Sequence, residues 1–333
     1  MKVLEGLNVN EVFPEAVKLV SKYGVLKPSR NGPTLEIPEP VASVYHRPWE
    51  RVLFCPVRNA NPFFHFFEAL WILAGRKDVA TLKIFNSRML EYSDDGATFH
   101  AAYGHRLRYH WGIDQIQLVI QELQTDMESR RAVLQIWDAV YDLGISRRDI
   151  PCNDTVFFKI RSGALHMTVC NRSNDLIWGA YGANVVQFSI LQEYIAWRLG
   201  VEIGPYTQVS DSLHVYIDNP QWGELLKPSE GSNPYFDLLH GKGHLFTGEN
   251  RETFDGELKL FMCSLTEPTS LMSMESRLLN FTALPLYRAW KFYKERNYPH
   301  ALYEALSCQA MDWRIAAVNW LNNAEEKRRG KAD

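Results

Sequence analysis

The 333-residue chain is 46% hydrophobic and 23% charged, enough apolar material for a real core and a balance that excludes disordered, collagen-like and coiled-coil classes. Thirty-six Lys and Arg against 39 Asp and Glu leave a formal charge of -3, so no global positive field advertises nucleic acid or an anionic membrane as partner, and any anion is held locally. Five scattered cysteines (Cys55, Cys152, Cys170, Cys263, Cys308) with no CxxC pair suit neither a disulfide framework nor a zinc site, and point to a reducing, cytoplasmic setting with no metal.

The opening MKVLEGLNVNEVFPEAVKLV lacks a charged head followed by an unbroken apolar run, and nowhere do about 18 uncharged apolar residues follow one another, so neither secretion nor a membrane span is expected. Asn61-Pro62 is a good N-cap and first-turn pair, and FFHFFEALWILAG then reads as an almost wholly apolar helix to Gly75. Glu68 therefore lies within a buried surface, where a carboxylate needs a reason. RAVLQIWD (131–138), TVFFKIR (155–161) and ALHMTVCNR (164–172) are rich in β-branched and aromatic residues, and Ser162-Gly163 joins the last two as a hairpin. NVVQFSILQEYIAWRLG (184–200) reads as a helix closed by glycine. From about residue 283 the pattern is helical, interrupted at Pro299, with a charged end. No linker or repeat divides the rest, so residues 1–280 are taken as one body and 281–333 as a helical extension. Strands mixed with long helices in no βα alternation argue for an α+β fold.

Several groups carry potential chemistry, each beside a plainer reading. Cys152, in DIPCNDT between a proline turn and a strand, is a nucleophile or a small buried hydrophobe. Glu68 is a general base with a raised pKa or one half of an ion pair. Arg130 and Arg131 precede one strand, and Arg172-Ser173 end another; they either converge on a phosphate or are solvated strand ends. In RSNDLIWGAYGAN, Asn174, Asp175 and Asn184 surround two glycines, which mark a close backbone approach to a ligand or ordinary turns. His214 and Tyr216 alternate with Val215 and so share one strand face.

Taken together, EALWILAG, AAYG, SRRAVLQIWD, PCNDT, CNRSNDLIWGAYGAN and SDSLHVY resemble, in order and wording, the thymidylate synthase superfamily over roughly residues 25 to 220. That resemblance implies a mixed β-sheet covered by helices. It makes Cys152 the nucleophile that adds to C6 of a pyrimidine nucleoside monophosphate, so that C5 attacks a one-carbon unit on 5,10-methylenetetrahydrofolate. Arginine charge near Cys152 is expected to help hold the thiolate. Glu68 matches the carboxylate that organises proton transfers around the base. Arg30, Arg172 and Ser173 match the phosphate site, and Arg130 and Arg131 match the pair donated across an obligate homodimer. His214 and Tyr216 match the ligands of the sugar 3′-hydroxyl, Asp175 the folate-pterin contact, and Tyr103 the wall of the active site.

Asn184 falls where the family reads the base. An amide offers a donor and an acceptor, which meets uracil O4 and N3–H and favours dUMP. Gly179 to Asn184 is five residues, one more than the family's usual count, which makes Ala183 the competing assignment; the apolar register of the following helix selects Asn184. Departures from methylating members carry as much weight as the matches. Asn153 follows the nucleophile in place of histidine, Asn174 replaces a cysteine, and Asn171 replaces a glutamine. No tryptophan occurs between Trp71 and Trp111, where Met89 or a neighbour takes the place of the methylating enzymes' indole, and the helical extension stands in place of their short closing tail. A dry, indole-capped site favours hydride transfer to the C5 methylene, whereas a more open, amide-rich site favours water. The expected product is therefore a 5-hydroxymethyl nucleotide, as in the hydroxymethylase branch, with Glu68 as base for the water. Reductive methylation of dUMP to dTMP and hydroxymethylation of dCMP or CMP are the alternatives.

Overall fold

The computed structural model describes residues 1–227, 233–236, 243–267 and 274–329. The N-terminal part runs β1 (Lys2–Gly6), α1 (Val9–Tyr23), β2 (Val25–Lys27), β3 (Thr34–Glu36), β4 (Val41–Tyr45), α2 (Pro62–Leu73), α3 (Val79–Phe85), α4 (Tyr103–Arg108) and α5 (Gln115–Thr125). The middle part comprises β5 (Val133–Gln135), α6 (Ala139–Asp142), β6 (Asn153–Arg161), β7 (Ala164–Asn171), β8 (Asn174–Asp175), α7 (Asn184–Leu199), β9 (Glu202–Ser210) and β10 (Leu213–Tyr216). Helices α8 (Pro220–Leu225), α9 (Phe254–Ser264), α10 (Leu284–Lys294), α11 (Tyr298–Ser307) and α12 (Met311–Arg329) follow.

A six-stranded sheet in the order β1-β4-β9-β7-β6-β5 carries the body, with β1–β4 and β7–β9 parallel and the other pairs antiparallel, so the sheet is mixed as expected. Ser162 and Gly163 both take positive φ (51° and 77°), which gives the β6–β7 hairpin the turn handedness that matches strand twist. Along β7, buried residues alternate with half-buried ones, and the register between β7 and β9 shifts near Leu165. The Gln192 side chain, from α7, donates to the carbonyls of Leu165 (2.8 Å) and Gly204 (2.9 Å) on those strands. The amide nitrogen of a polar core residue thereby finds its acceptors and ties α7 to the sheet.

The run 131–138 is strand only over Val133–Gln135. Beyond it the N–H groups of Ile136 and Trp137 both turn to the carbonyl of Asp154, and the Asp138 side chain caps α6 at Val140 N–H (3.0 Å). Helix α2 begins as its cap predicts, with Asn61 Oδ1 accepting from Phe64 N–H at 3.1 Å. It is apolar all round because helices enclose it on several sides. Phe66 meets Trp313 at 5.0 Å between centroids, Phe63 meets Trp290 at 5.4 Å, and Phe67 stacks on Phe85 at 4.2 Å. Residues after 280 therefore contribute to one continuous core with α2. A π-helical segment, Leu279–Ala283, leads directly into α10, while Asn297 caps α11 ahead of Pro299 and separates it from α10.

The second sheet, β2-β3-β10-β8, is small and matters for position. Its parallel β8–β10 pairing sets Asp175 beside His214.

Candidate active site

A cleft of about 370 Å³ opens between α2, the 86–103 segment, the loop before β6, and the start of α7. Glu68, Tyr103, Cys152, Ser173, Asn174, Asp175, Asn184, His214 and Tyr216 all line it. Residues as far apart in sequence as Glu68 and Tyr216 thus share one wall.

Cys152 is placed by the hairpin. Beyond the Asn153–Asn171 pair that ends the β6–β7 ladder, Arg172 N–H donates to Cys152 O at 3.0 Å, so strand pairing itself sets the two side by side. The guanidinium then splints the loop: Nε donates to Pro151 O (2.7 Å), Nη2 to Ile150 O (3.3 Å), and Nη2 lies 3.9 Å from Cys152 Sγ. Burial nevertheless pushes the Cys152 thiol up, and the Asp149 and Asp154 charges add to that, while Arg172 and Arg30 oppose it. The expected arginine influence is present but burial outweighs it. Cys152 N–H points at the Tyr103 hydroxyl (3.4 Å), and that phenol is held neutral by burial and by the nearby sulfur.

Glu68 is the exception on its helix. Every other residue of α2 is buried, and Glu68 is half-buried because it opens onto the cleft. Loss of water raises its carboxyl to about 7, a hydrogen bond from Gln187 opposes this, and the Asp149 charge reinforces it. A carboxyl poised there takes and returns protons at neutral pH.

The four asparagines singled out in the sequence form one hydrogen-bonded run. Asn171 Nδ2 donates to Asn153 Oδ1, Asn153 Nδ2 to Asn184 Oδ1 (3.4 Å), Asn184 Nδ2 to Asn174 Oδ1 (3.0 Å), and Asn174 Nδ2 to Ser210 Oγ (3.0 Å). Asn153 does not reach the cleft wall; it is fully buried behind Asn184. The run needs Gly179: a Cβ there would lie 2.9 Å from Asn174 Oδ1 and 3.6 Å from Asn184 Nδ2. That glycine makes room for amides as well as lining the cleft. Asn184 keeps one N–H and one lone pair uncommitted, which is the pattern a uracil edge requires.

Asp175 caps the π-helical segment Leu176–Ala183, with Oδ1 accepting from Trp178 N–H at 2.5 Å. Its Oδ2 is buried without a partner, and burial pushes the carboxyl up. His214 and Tyr216 share one face, as alternation predicts, with ring centroids 5.4 Å apart. Met89 and Tyr92, from a 3-10 segment at Ser87–Tyr92, supply wall where the sequence has no tryptophan.

The remaining arginines stand apart. Arg30 is exposed on an adjoining rim with Tyr216, Arg147 and Arg148, and donates to Arg147 O at 3.0 Å. Arg130 and Arg131 are exposed on the edge before β5, Arg131 pairing with Glu122 at 2.8 Å, and neither lines the cleft of its own chain. Two residues that sequence reasoning did not select belong to the site. Gln187, whose Nε2 donates to Glu68 Oε2 at 2.7 Å, lies three residues after Asn184 on the same helical face, a spacing that could have revealed it. Asp149 lines the cleft three residues before Cys152. Among the described residues, no group of three His, Cys, Asp or Glu is arranged to hold a metal ion, and no helix is long and apolar enough to cross a membrane.

Residues 16–247 match the thymidylate synthase family. The chain belongs to that family. It is 42% identical to a deoxyuridylate hydroxymethyltransferase of Pseudomonas phage M6 over 353 aligned positions, covering 100% of this chain and 98% of the relative. A second protein of that name, from Bacillus phage SP01, is 40% identical over 231 positions, covering 66% of this chain and 60% of the relative. In three dimensions the chain is similar to thymidylate synthase from T4 phage, with a TM-score of 0.52 and 19% identity, covering 66% of this chain and 82% of the other. The last comparison speaks to the fold, which is the expected α+β arrangement of a mixed sheet with covering helices.

Proposed function

We infer that this enzyme hydroxymethylates dUMP: Cys152 adds to C6, a one-carbon unit joins C5, and water completes the group to 5-hydroxymethyl-dUMP. The observation that carries this reading is the amide run from Asn171 to Ser210, which holds Asn184 in one orientation under the cleft. The end-to-end likeness to a phage deoxyuridylate hydroxymethyltransferase supports it.

Arg172, Ser173 and Arg30 hold the nucleotide phosphate in this reading. Arg130 and Arg131 reach that phosphate from a second copy of the chain, so the active form is a homodimer; their exposure is compatible with that role. The dianion beside Arg172 fixes the guanidinium, and the guanidinium draws the Cys152 thiol towards its ionised form. Asn184 takes uracil N3–H on Oδ1 and gives N–H to O4. His214 and Tyr216 bind the 3′-hydroxyl. Tyr103, with Asn153 behind Asn184, keeps the cysteine loop and base reader in register.

The cleft also suits 5,10-methylenetetrahydrofolate, because Asp175 lines it together with Trp178, Met89 and Tyr92 and its carboxyl is of the kind that accepts an N–H of a pterin. When bound, the folate supplies the one-carbon unit. Glu68 moves protons at the base ring, and Gln187 holds its carboxyl in place. The same body spans residues 1–280, with the helices from 281 onward supporting α2. A reducing cytoplasm suits its five free cysteines.

Incubation with methylenetetrahydrofolate and dUMP, dCMP or CMP, read by mass spectrometry, tests the reading. The expected result is 5-hydroxymethyl-dUMP without growth of dihydrofolate absorbance. Formation of dTMP with dihydrofolate establishes the methylating alternative, and preferential turnover of a cytidylate overturns the base assignment.

A further inference from the structure

Asp149 is an acidic group in the reaction cleft to which neither the family motifs nor the reading above gives a task. It sits on the loop that carries Cys152 and lines the cleft together with Cys152, Glu68 and Tyr103. One oxygen is pinned, Oδ2 accepting from Ala101 N–H at 2.8 Å. No other described residue donates to it, and it has no ion-pair partner among the described residues, so the second oxygen is left to the cleft. A surface aspartate ordinarily finds water or a cation; this one is anchored by backbone and lines the cleft that holds the reacting groups.

We propose that Asp149 is a second catalytic carboxylate and that it, in place of the Glu68 expected from the sequence, is the base that takes the proton from the water entering at the exocyclic methylene, while Glu68 serves the base ring. This rests on the hydroxymethylase reading. The step balances as follows. Once the amine of the folate has left, the nucleotide carries Cys152 sulfur on C6 and a methylene double-bonded to C5. Water oxygen bonds to the methylene carbon, the methylene–C5 π pair moves to form the C4 enolate, and the water proton passes to Asp149. The enolate then expels the Cys152 thiolate, restoring the C5–C6 double bond, and Asp149 returns its proton to solvent. Nothing is oxidised or reduced.

A division of labour with Glu68 follows from their surroundings. Burial raises the Asp149 carboxyl to about 6; the Ala101 N–H, His100 and Arg106 pull it down and Asp94 pushes it up. Glu68, raised to about 7, feels the Asp149 charge, as do Cys152 and Tyr103. Two carboxyls facing one cleft do not ionise together readily, so of the two Asp149 is the one that ionises more easily and Glu68 the one that holds a proton more easily.

The test uses the 333-residue protein with dUMP tritiated at C5, and counts released tritium against 5-hydroxymethyl-dUMP. Tritium release reports Cys152 addition and loss of the C5 proton; the product reports hydration. An Asp149→Asn substitution keeps an oxygen for Ala101 N–H. It is expected to lower product per tritium by about a hundredfold, with the methylene diverted to an added small thiol. Asp149→Glu is expected to restore much of the ratio. In the wild type the ratio falls as pH drops through about 6, and in the Asn variant it is flat. A second readout needs no ligand: carboxyl-labelled aspartate should show a carbon resonance titrating near 6 that Asp149→Asn removes. An unchanged product-to-tritium ratio in the Asn variant overturns the proposal, and so does equal loss of both signals. Should the wild type itself make dTMP, the hydroxymethylase reading fails instead, an outcome seen before any variant is made.

Discussion

Two groups of charge lie close to the same core and are handled in opposite ways. Where α7 meets the segment that follows β10, Arg51 and Glu193 are both buried and paired directly, and Glu193 Oε1 also accepts from the N–H groups of Leu245 (2.5 Å) and Phe246 (3.4 Å). Burial pushes the Glu193 carboxyl up, but Arg51 and His244 more than offset this and leave it below its ordinary value. In the cleft, Glu68 has a single amide donor and Asp149 a single N–H, and neither has an ion-pair partner among the described residues. Both stay raised. The contrast separates a charge that holds the fold from charges held ready for proton transfer: in the first both Glu193 oxygens accept from protein donors, and the second leaves capacity for substrate and water.

The largest effect expected on that contrast is chemical. Cys152→Ser should reduce tritium release from C5-labelled dUMP by about 10⁴-fold or more, because a serine hydroxyl at neutral pH is a far weaker nucleophile than a thiolate. Thermal unfolding should barely move, since the side chain is replaced by one of nearly the same shape. Retained release would remove Cys152 as the nucleophile. Next comes the structural pair. Glu193→Gln leaves Arg51 buried without its counter-charge and should cost about 3–5 kcal/mol in chemical denaturation, while the folded fraction turns over normally. A variant that keeps its stability but loses activity would erase the distinction between the two regions.

The sequence makes local features of this molecule legible and distant partners much less so. The Asn61-Pro62 cap, the Ser162-Gly163 turn and the Gly200 stop (φ 76°) are read from neighbouring residues, and the structure has each of them. Short strands such as β2, β3 and β8 have too few residues to show a period, so the small sheet that brings Asp175 to His214 could not be read. Resemblance supplied the identity of most cleft residues because whole blocks of wording carry them. It did not supply how they bond to one another. The contact of Asn153 with Asn171 depends on a register shift between Asn153 and Thr155, and that of Gln187 with Glu68 joins residues 119 apart. Departures from a family pattern at Asn153, Asn171 and Asn174 were visible one at a time; that they form one run with Asn184 is a property of the fold.

The smallest effect is the most discriminating, because one substitution made in both regions should act with opposite signs. Glu68 is raised from 4.5 to about 7 on folding, so between those values the folded chain binds the extra proton and stability falls as pH rises. Glu68→Gln removes that dependence: stability should match the wild type below about pH 4.5 and exceed it by about 1–3 kcal/mol above pH 7. Glu193 is lowered on folding, so its contribution is present above its unfolded value and is lost as pH falls through the folded one. Glu193→Gln should therefore destabilise most at neutral pH and least in acid. Urea denaturation of the two variants from pH 4.5 to 8 reads both slopes on one axis. If Glu68→Gln also lost stability towards neutral pH, Glu68 would be a fold-holding charge after all, and the carboxyl that moves protons in this cleft would have to be sought elsewhere.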